Sequence, residues 1–227
     1  MKKKVFYTEL SYVVAMFLMA FAAACTAKSG FGVSMVVAPA YILHLKMAEF
    51  LPWFSFGVAE YLFQGLLVLM TVLVMRKFKK GYLFSFVTAV LYGTLLDGAV
   101  ALIAPLPADA FWMRAGWILL GATLCSLAVS LFFHTYISPE AYELIVKELA
   151  QKFKVDIHKI KRIYDFSSLT LAVVLSFCFF GFGVFRGVGW GTVFCALVNS
   201  LLIGRWSKLL DRHFEFRDRL SFARFFQ

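Results

Sequence analysis

Three acidic side chains, Glu60, Asp97 and Asp165, sit inside long apolar stretches of this 227-residue chain. A charge at the middle of a membrane span costs ~2.5 to 3.5 kcal/mol on insertion scales, so the charges that persist there face a cavity, an ion or a partner. Glu60 carries the strongest expectation of chemistry, because its own helix offers no neighbouring base. Gln64 falls one turn deeper on the same helix face, and Asn199 lies in the middle of another apolar stretch. Together these five side chains outline a polar path suited to holding a proton, an ion or a small solute. Lys28 and Ser34 flank Gly30-Phe31-Gly32 and are expected to point into a vestibule. Each residue also has a plainer reading. Asp165 has Lys159, Lys161 and Arg162 within reach as ion-pair partners, Asp97 precedes Gly98 and could cap a shortened helix, and Gln64 and Asn199 could bond between helices.

Other chemistry is poorly provided for. His44, His134, His158 and His213 are scattered, and no H-E-x-x-H or G-x-S-x-G run occurs. Cys25, Cys125, Cys178 and Cys195 lie in apolar runs without C-x-x-C spacing, which reads as core thiols. Gly30-x-Gly32 has no preceding strand and no Lys at phosphate-loop spacing. The expectation is therefore no enzyme, no cofactor and no metal.

The elements that must position the acids follow from composition. Apolar residues make up 62% of the chain and charged residues 16%, which is far from a soluble domain. A span needs ~20 apolar residues, and six runs qualify: Val5 to Ala27, Trp53 to Met75, Tyr82 to Ala104, Phe111 to Phe133, Ile163 to Phe185 and Val188 to Trp206. The first follows Lys2-Lys3-Lys4 but, at over twenty residues, is too long for a signal peptide and reads as a retained first helix. The fold class is thus all-α integral membrane, with one polytopic domain over 1–206 and a basic amphipathic tail over 207–227. With both termini on one side, 19 of the 23 Lys and Arg residues share that side and only Lys28, Lys46, Arg114 and Arg186 oppose them. The formal net charge of +10 is read as this positive-inside asymmetry, with both termini cytoplasmic, and not as a nucleic-acid surface.

Two segments are too short to span. Pro139 to Phe153, with Ser138 as N-cap and Pro139 at the first helical position, sets Tyr142, Ile145, Leu149 and Phe153 on one face and Glu143, Lys147, Gln151 and Lys154 on the other. That pattern predicts an amphipathic helix on the cytoplasmic surface. Pro39 to Leu51 is expected to lie on or re-enter the outer face, and the tail to form a basic interfacial helix through Leu209, Phe214, Phe216, Leu220 and Phe225. Laid over each other at a shift of about 100 to 106 residues, the halves 5–104 and 111–206 pair Pro39 with Pro139, Glu60 with Asp165 and Gly81 with Gly187. Three spans per copy oblige the second to enter the membrane in the opposite sense, giving two inverted three-helix repeats, each with a short Pro-led interfacial or re-entrant helix.

Several runs also carry a family resemblance: Lys28-Ser29-Gly30-Phe31-Gly32-Val33-Ser34, Phe54-Ser55-Phe56-Gly57, Pro105-Leu106-Pro107, Lys159-Ile160-Lys161 before Tyr164-Asp165, and Gly187 to Thr192. In this order they resemble the YczE/YyaS/YitT-like bacterial membrane proteins, and more narrowly the uncharacterised DUF6198 group. The resemblance implies a small multi-pass protein of the bacterial inner membrane with no assigned biochemical role. Val33-Ser34-Met35 departs from the Thr-Ser-Pro type of turn expected of such relatives, which puts in doubt any site chemistry that turn supplies.

The functional expectation is a small-molecule secondary transporter, proton-coupled through a carboxylate and of unassigned substrate. The competing one is a membrane scaffold that presents its basic cytoplasmic face to another protein. Expected partners are membrane lipids and a small-molecule or ion substrate, with assembly as a homodimer and no nucleic acid. Water reaching Glu60 or Asp97 favours transport, and acids closed off by side chains favour the scaffold.

Overall fold

A computed structural model describes residues 3–137 and 140–219. Strand β1 (Lys4–Tyr7) leads into α1 (Thr8–Ser29), and a short helix α2 (Ala38–Met47) precedes α3 (Phe56–Met75) and α4 (Lys80–Ile103). The long α5 (Phe111–Phe132), short α6 (Ala141–Phe153), and long α7 (Ile157–Phe180) and α8 (Trp190–His213) follow, and β2 (Phe214–Arg217) closes the described chain. The six long helices are each long and apolar enough to cross a membrane. The chain is therefore a multi-pass, helical membrane protein.

Local chemistry explains where the ends fall. Ser55 caps α3 by accepting from the Val58 amide, and Asp156 caps α7 by accepting from Lys159 N, which starts that helix six residues before the apolar run itself. The first span starts at Thr8 and not at Val5, because Val5, Phe6 and Tyr7 favour extended backbone and pair in parallel with β2, Lys4 against Phe214 through Tyr7 against Arg217. The tail beyond Ser207 likewise differs from an interfacial helix. It prolongs α8 to His213 and then turns into β2, where Phe214 and Phe216 pack on Phe6 and Phe216 stacks on His134 at 4.2 Å. Tail positions Leu220 and Phe225, like Ser138 and Pro139 before α6, lie outside the described residues.

The centre of the bundle is the antiparallel pair α1 and α5. Arg114 Nε donates to Ser29 O at one end, and Ser11 Oγ donates to Leu131 O at the other. Helix α4 packs on α1 and α8 on α5; α2 packs on α3 and α7, and α6 on α7 and α3. Exchanging the two halves maps each of these contacts onto another. Two contacts have no such counterpart: α4 touches α6 while α8 and α2 make no comparable contact, and α3 and α4 lie against each other, crossing where Gly57 and Gly93 meet backbone to backbone, whereas α7 and α8 do not. The residue pairings of the halves are looser than their elements. Glu60 is the fifth residue of α3 and Asp165 the ninth of α7, and Gly81 lies inside α4 while Gly187 precedes α8. Cys178 faces outward, unlike buried Cys25 and Cys195, because its side of α7 is not packed.

Candidate functional site: a buried carboxylate cluster

Glu60 and Gln64 are both fully buried, one turn apart on α3. Tyr142 Oη donates to Glu60 Oε2 at 2.8 Å, Gln64 Nε2 donates to the same oxygen at 3.4 Å, and the Ala141 amide donates to Gln64 Oε1 at 3.3 Å. The first turn of α6 is thus joined to the middle of α3. At the far end, Lys152 Nζ bonds the Val74 carbonyl. Ala141 to Lys152 and Gln64 to Val74 both span ~15 Å at 1.5 Å per residue, so α6 runs beside α3 in the same sense. The expected surface helix is instead packed on several sides, with Ala141, Tyr142, Leu144, Ile145, Val146, Glu148 and Ala150 buried. Its buried Glu148 is met by the half-exposed Lys79 at 2.6 Å.

A second carboxylate completes the cluster. Glu140, the N-cap position of α6, is buried, and its Oε1, Glu60 Oε1 and the Tyr92 hydroxyl all lack hydrogen-bond partners. A native buried polar atom without a partner calls for an explanation, and a carboxyl group that keeps its proton in a dry site supplies one, because burial disfavours its charged form. Burial first, then the Glu60 and Glu143 charges, push the Glu140 carboxyl up to about 8, with Lys161 and Gln64 opposing the shift. The Tyr142 phenol is held well above its usual range by burial and by Glu60, which keeps it a donor. The positive end of the α6 dipole also faces this pair and favours negative charge.

Alongside, Lys161 Nζ lies 2.6 Å from Glu143 Oε1 and 3.4 Å from Asp165 Oδ1. Asp165 is therefore an ion-pair residue, met by one of the three bases its spacing offered. Asp97 has moved out of any polar path. Its carboxylate accepts from Ser55 Oγ at 2.5 Å and from the Gly57 amide at 2.7 Å, so it caps the start of α3 from a neighbouring helix and not the end of its own. Asn199 Nδ2 lies 3.6 Å from Cys125 Sγ, between α8 and α5. Lys28 Nζ bonds the Ala104 carbonyl and closes the end of α4. The Ser34 carbonyl receives the Val37 and Ala38 amides in the turn before α2.

The sequence reading missed Glu140, Tyr92 and the donor role of Tyr142. Glu140 looked like one more charge on a surface helix, and Tyr92 like one more aromatic in an apolar span. A signal was present in Tyr142, whose hydroxyl on the apolar face needs a partner once buried.

The two glycine-rich segments meet at the opposite end of the molecule from Lys79 and Lys152. Val33 N donates to Gly187 O and Gly191 N to Phe31 O, and a side chain at Gly32, whose φ is +103°, would strike Thr192 and the Gly189 amide. Close packing is the role of both. They border a cavity of about 230 Å³ lined by Thr26, Gly30, Tyr41, Phe185 and Arg186, among others. Neither Lys28 nor Ser34 lines it, and no residue of α3 or α4 does. Among the described residues no cluster of His, Cys, Asp and Glu is able to hold a metal ion.

No curated protein and no solved structure matches the chain. Residues 6–208, from β1 to the second half of α8, match the profile of DUF6198, a family of unknown function. With its six apolar helices and most of its length covered by that match, the chain belongs to the DUF6198 family.

Proposed function

We propose that the protein is a proton-coupled secondary transporter of a small solute, with Glu60 and Glu140 as its proton site. The observation that carries this reading is the pair itself: two buried carboxyl groups from different elements, each with one unpartnered oxygen, at the N-terminus of α6 beside the middle of α3. Such a pair holds one proton between its members, and taking up or releasing it changes the charge of a dry site.

The architecture supports the same reading. We take α2 and α6 as re-entrant helices, one from each face, and the halves as inverted repeats. Long, short, long, long occurs twice in sequence, with starts at 8, 38, 56 and 80 and again at 111, 141, 157 and 190. The crossed packing of α2 on α7 and α6 on α3 fits a two-fold exchange of the halves, and the antiparallel run of α1 and α5 supports an axis in the membrane plane. Half-helix N-termini near the midplane are a recurring way of building transporter sites. On this reading the 230 Å³ cavity is the outer approach, and the site is closed in the present conformation. The charge asymmetry of the loops puts both termini in the cytoplasm of a bacterial inner membrane.

The test is solid-supported membrane recording from proteoliposomes. Solute jumps across a panel of cationic, anionic and neutral metabolites, with and without a pH gradient, are expected to give a transient current for at least one class. Glu60→Gln and Glu140→Gln are expected to remove its dependence on the gradient. The scaffold reading is favoured by the complete burial of Glu60 and Gln64. Silence across the panel, together with carboxyl infrared bands that do not respond to pH, would establish it in place of transport.

A further inference from the structure

The cavity of about 230 Å³ lies where the turn after α1, helix α2 and the chain before α8 meet. Arg186 is held at its wall. Its amide donates to Ser176 Oγ at 2.9 Å, and its guanidinium lies over the Phe180 ring, 4.6 Å from the centroid. Stacking of that kind fixes the plane of an arginine and leaves its N–H edge available. Glu49 is the acid beside it. Its Oε1 is 3.7 Å from Arg186 Nη1, outside hydrogen-bond reach, while its Oε2 takes Lys46 Nζ at 2.7 Å. One acid thus serves two bases, and the three side chains leave one positive charge. The same excess holds for this end of the bundle, where Lys28, Lys46, Arg114 and Arg186 face Glu49, Asp97 and Asp109. Tyr41 also lines the cavity, and its hydroxyl has no hydrogen-bond partner among the described residues. Val33, Leu45 and Phe185 supply an apolar wall. At ~30 Å³ for each water-sized group, the space holds roughly seven or eight of them.

We propose that this cavity binds a small organic monoanion, a short-chain monocarboxylate, with its carboxylate on the Arg186 guanidinium and the Tyr41 hydroxyl and its apolar part against Val33, Leu45 and Phe185. The planar fork of an arginine matches two carboxylate oxygens. A single residual positive charge, with Glu49 already counted, suits one negative charge and not the two of a phosphate dianion. Among the described residues no acid lines the cavity to take the ammonium group of a zwitterion. As the identity of the solute this rests on the transport reading above, whereas binding itself needs no carriage across the membrane.

Saturation-transfer difference NMR on the purified full chain in detergent tests it, with propionate, propionamide and alanine as probes. Propionate is expected to give a saturable signal. Uncharged propionamide and zwitterionic alanine are expected to bind at least about tenfold more weakly, the scale of a lost charge-assisted hydrogen bond. Arg186→Gln is expected to weaken propionate by a similar factor, and Leu45→Trp, which fills the cavity, to abolish its signal. Glu49→Gln removes the competing acid and is expected to tighten binding about threefold, a gain that no loss of fold imitates. Lys208→Gln, near the far end of α8, leaves affinity unchanged. Equal binding of propionate and propionamide, wild-type affinity in Arg186→Gln, or weaker binding in Glu49→Gln overturns the proposal. Displacement of propionate by equimolar chloride or phosphate, or by short-chain phosphatidylglycerol, also overturns it, by making the site one for inorganic anions or lipid headgroups. Propionate binding without any current in proteoliposomes removes transport and keeps the site. A current for another solute class, with no propionate binding, removes the site and keeps transport.

Discussion

Asp97 and Glu140 exchange the roles that their sequence positions suggest. Asp97, in mid-span, spends its carboxylate on Ser55 and the Gly57 amide. Removing it with Asp97→Ala is expected to lower stability by about 2 kcal/mol or more, the scale for hydrogen bonds to a charged acceptor. Asp97→Asn, which keeps one acceptor, is expected to lose less; unfolding in detergent followed by intrinsic fluorescence reads both. Glu140 behaves in the opposite way. Its carboxyl is raised from 4.5 to about 8 in the folded protein, so between those values the folded state holds the proton more tightly than the unfolded chain. Its contribution to stability is full below about pH 4.5 and fades as pH rises through 8. The melting temperature is accordingly expected to fall from pH 5 to pH 8, and Glu140→Gln to flatten that slope. Glu60 and Gln64 were legible because a lone acid inside an apolar run has so few benign explanations. Glu140 was not, since a charge beside a proline at the edge of an amphipathic pattern looks solvated until the helix is known to be packed.

At the scale of elements, hydrophobic length sufficed for all six long helices, because ~20 apolar residues admit little else. What the pattern did not reveal was the placement of α6. Its polar face appeared to need water, but Glu148 is buried against Lys79, and Lys152, though exposed, bonds the Val74 carbonyl at the end of α3. Lys147 is the side chain of that helix left exposed on its middle turns. A single cysteine at Lys147 in a cysteine-free background is expected to react with an impermeant maleimide in inside-out vesicles and not in intact cells. The reverse labelling would invert the orientation drawn from the loop charges. Helix contacts make a second prediction. A methyl group at Gly57 would run into the Gly93 carbonyl, so Gly57→Ala is expected to cost about 1 to 3 kcal/mol by overpacking. At Gly98 an added methyl meets nothing within 4 Å, and Gly98→Ala is expected to be neutral or mildly stabilising, by up to ~1 kcal/mol.

For the whole molecule, the halves share an order of elements and a crossed packing scheme but not their residue chemistry. The first carries the buried Glu60, while the second carries the charged α6, the Lys161 ion pairs and the unpacked α7 face. The starts of the helices in the two halves correspond more closely than their residues do.

The parallel pairing of β1 with β2 imposes an order on biosynthesis. Tyr7 and Arg217 are neighbours in register although about 210 residues separate them. At 5 to 20 residues per second the first strand waits roughly 10 to 40 s for its mate to leave the ribosome. During that interval Phe6 and the edge of β1 are uncovered, and Glu9 has not yet met Arg219 N. The pairing of β1 with β2 therefore cannot begin until all six long helices have been synthesised.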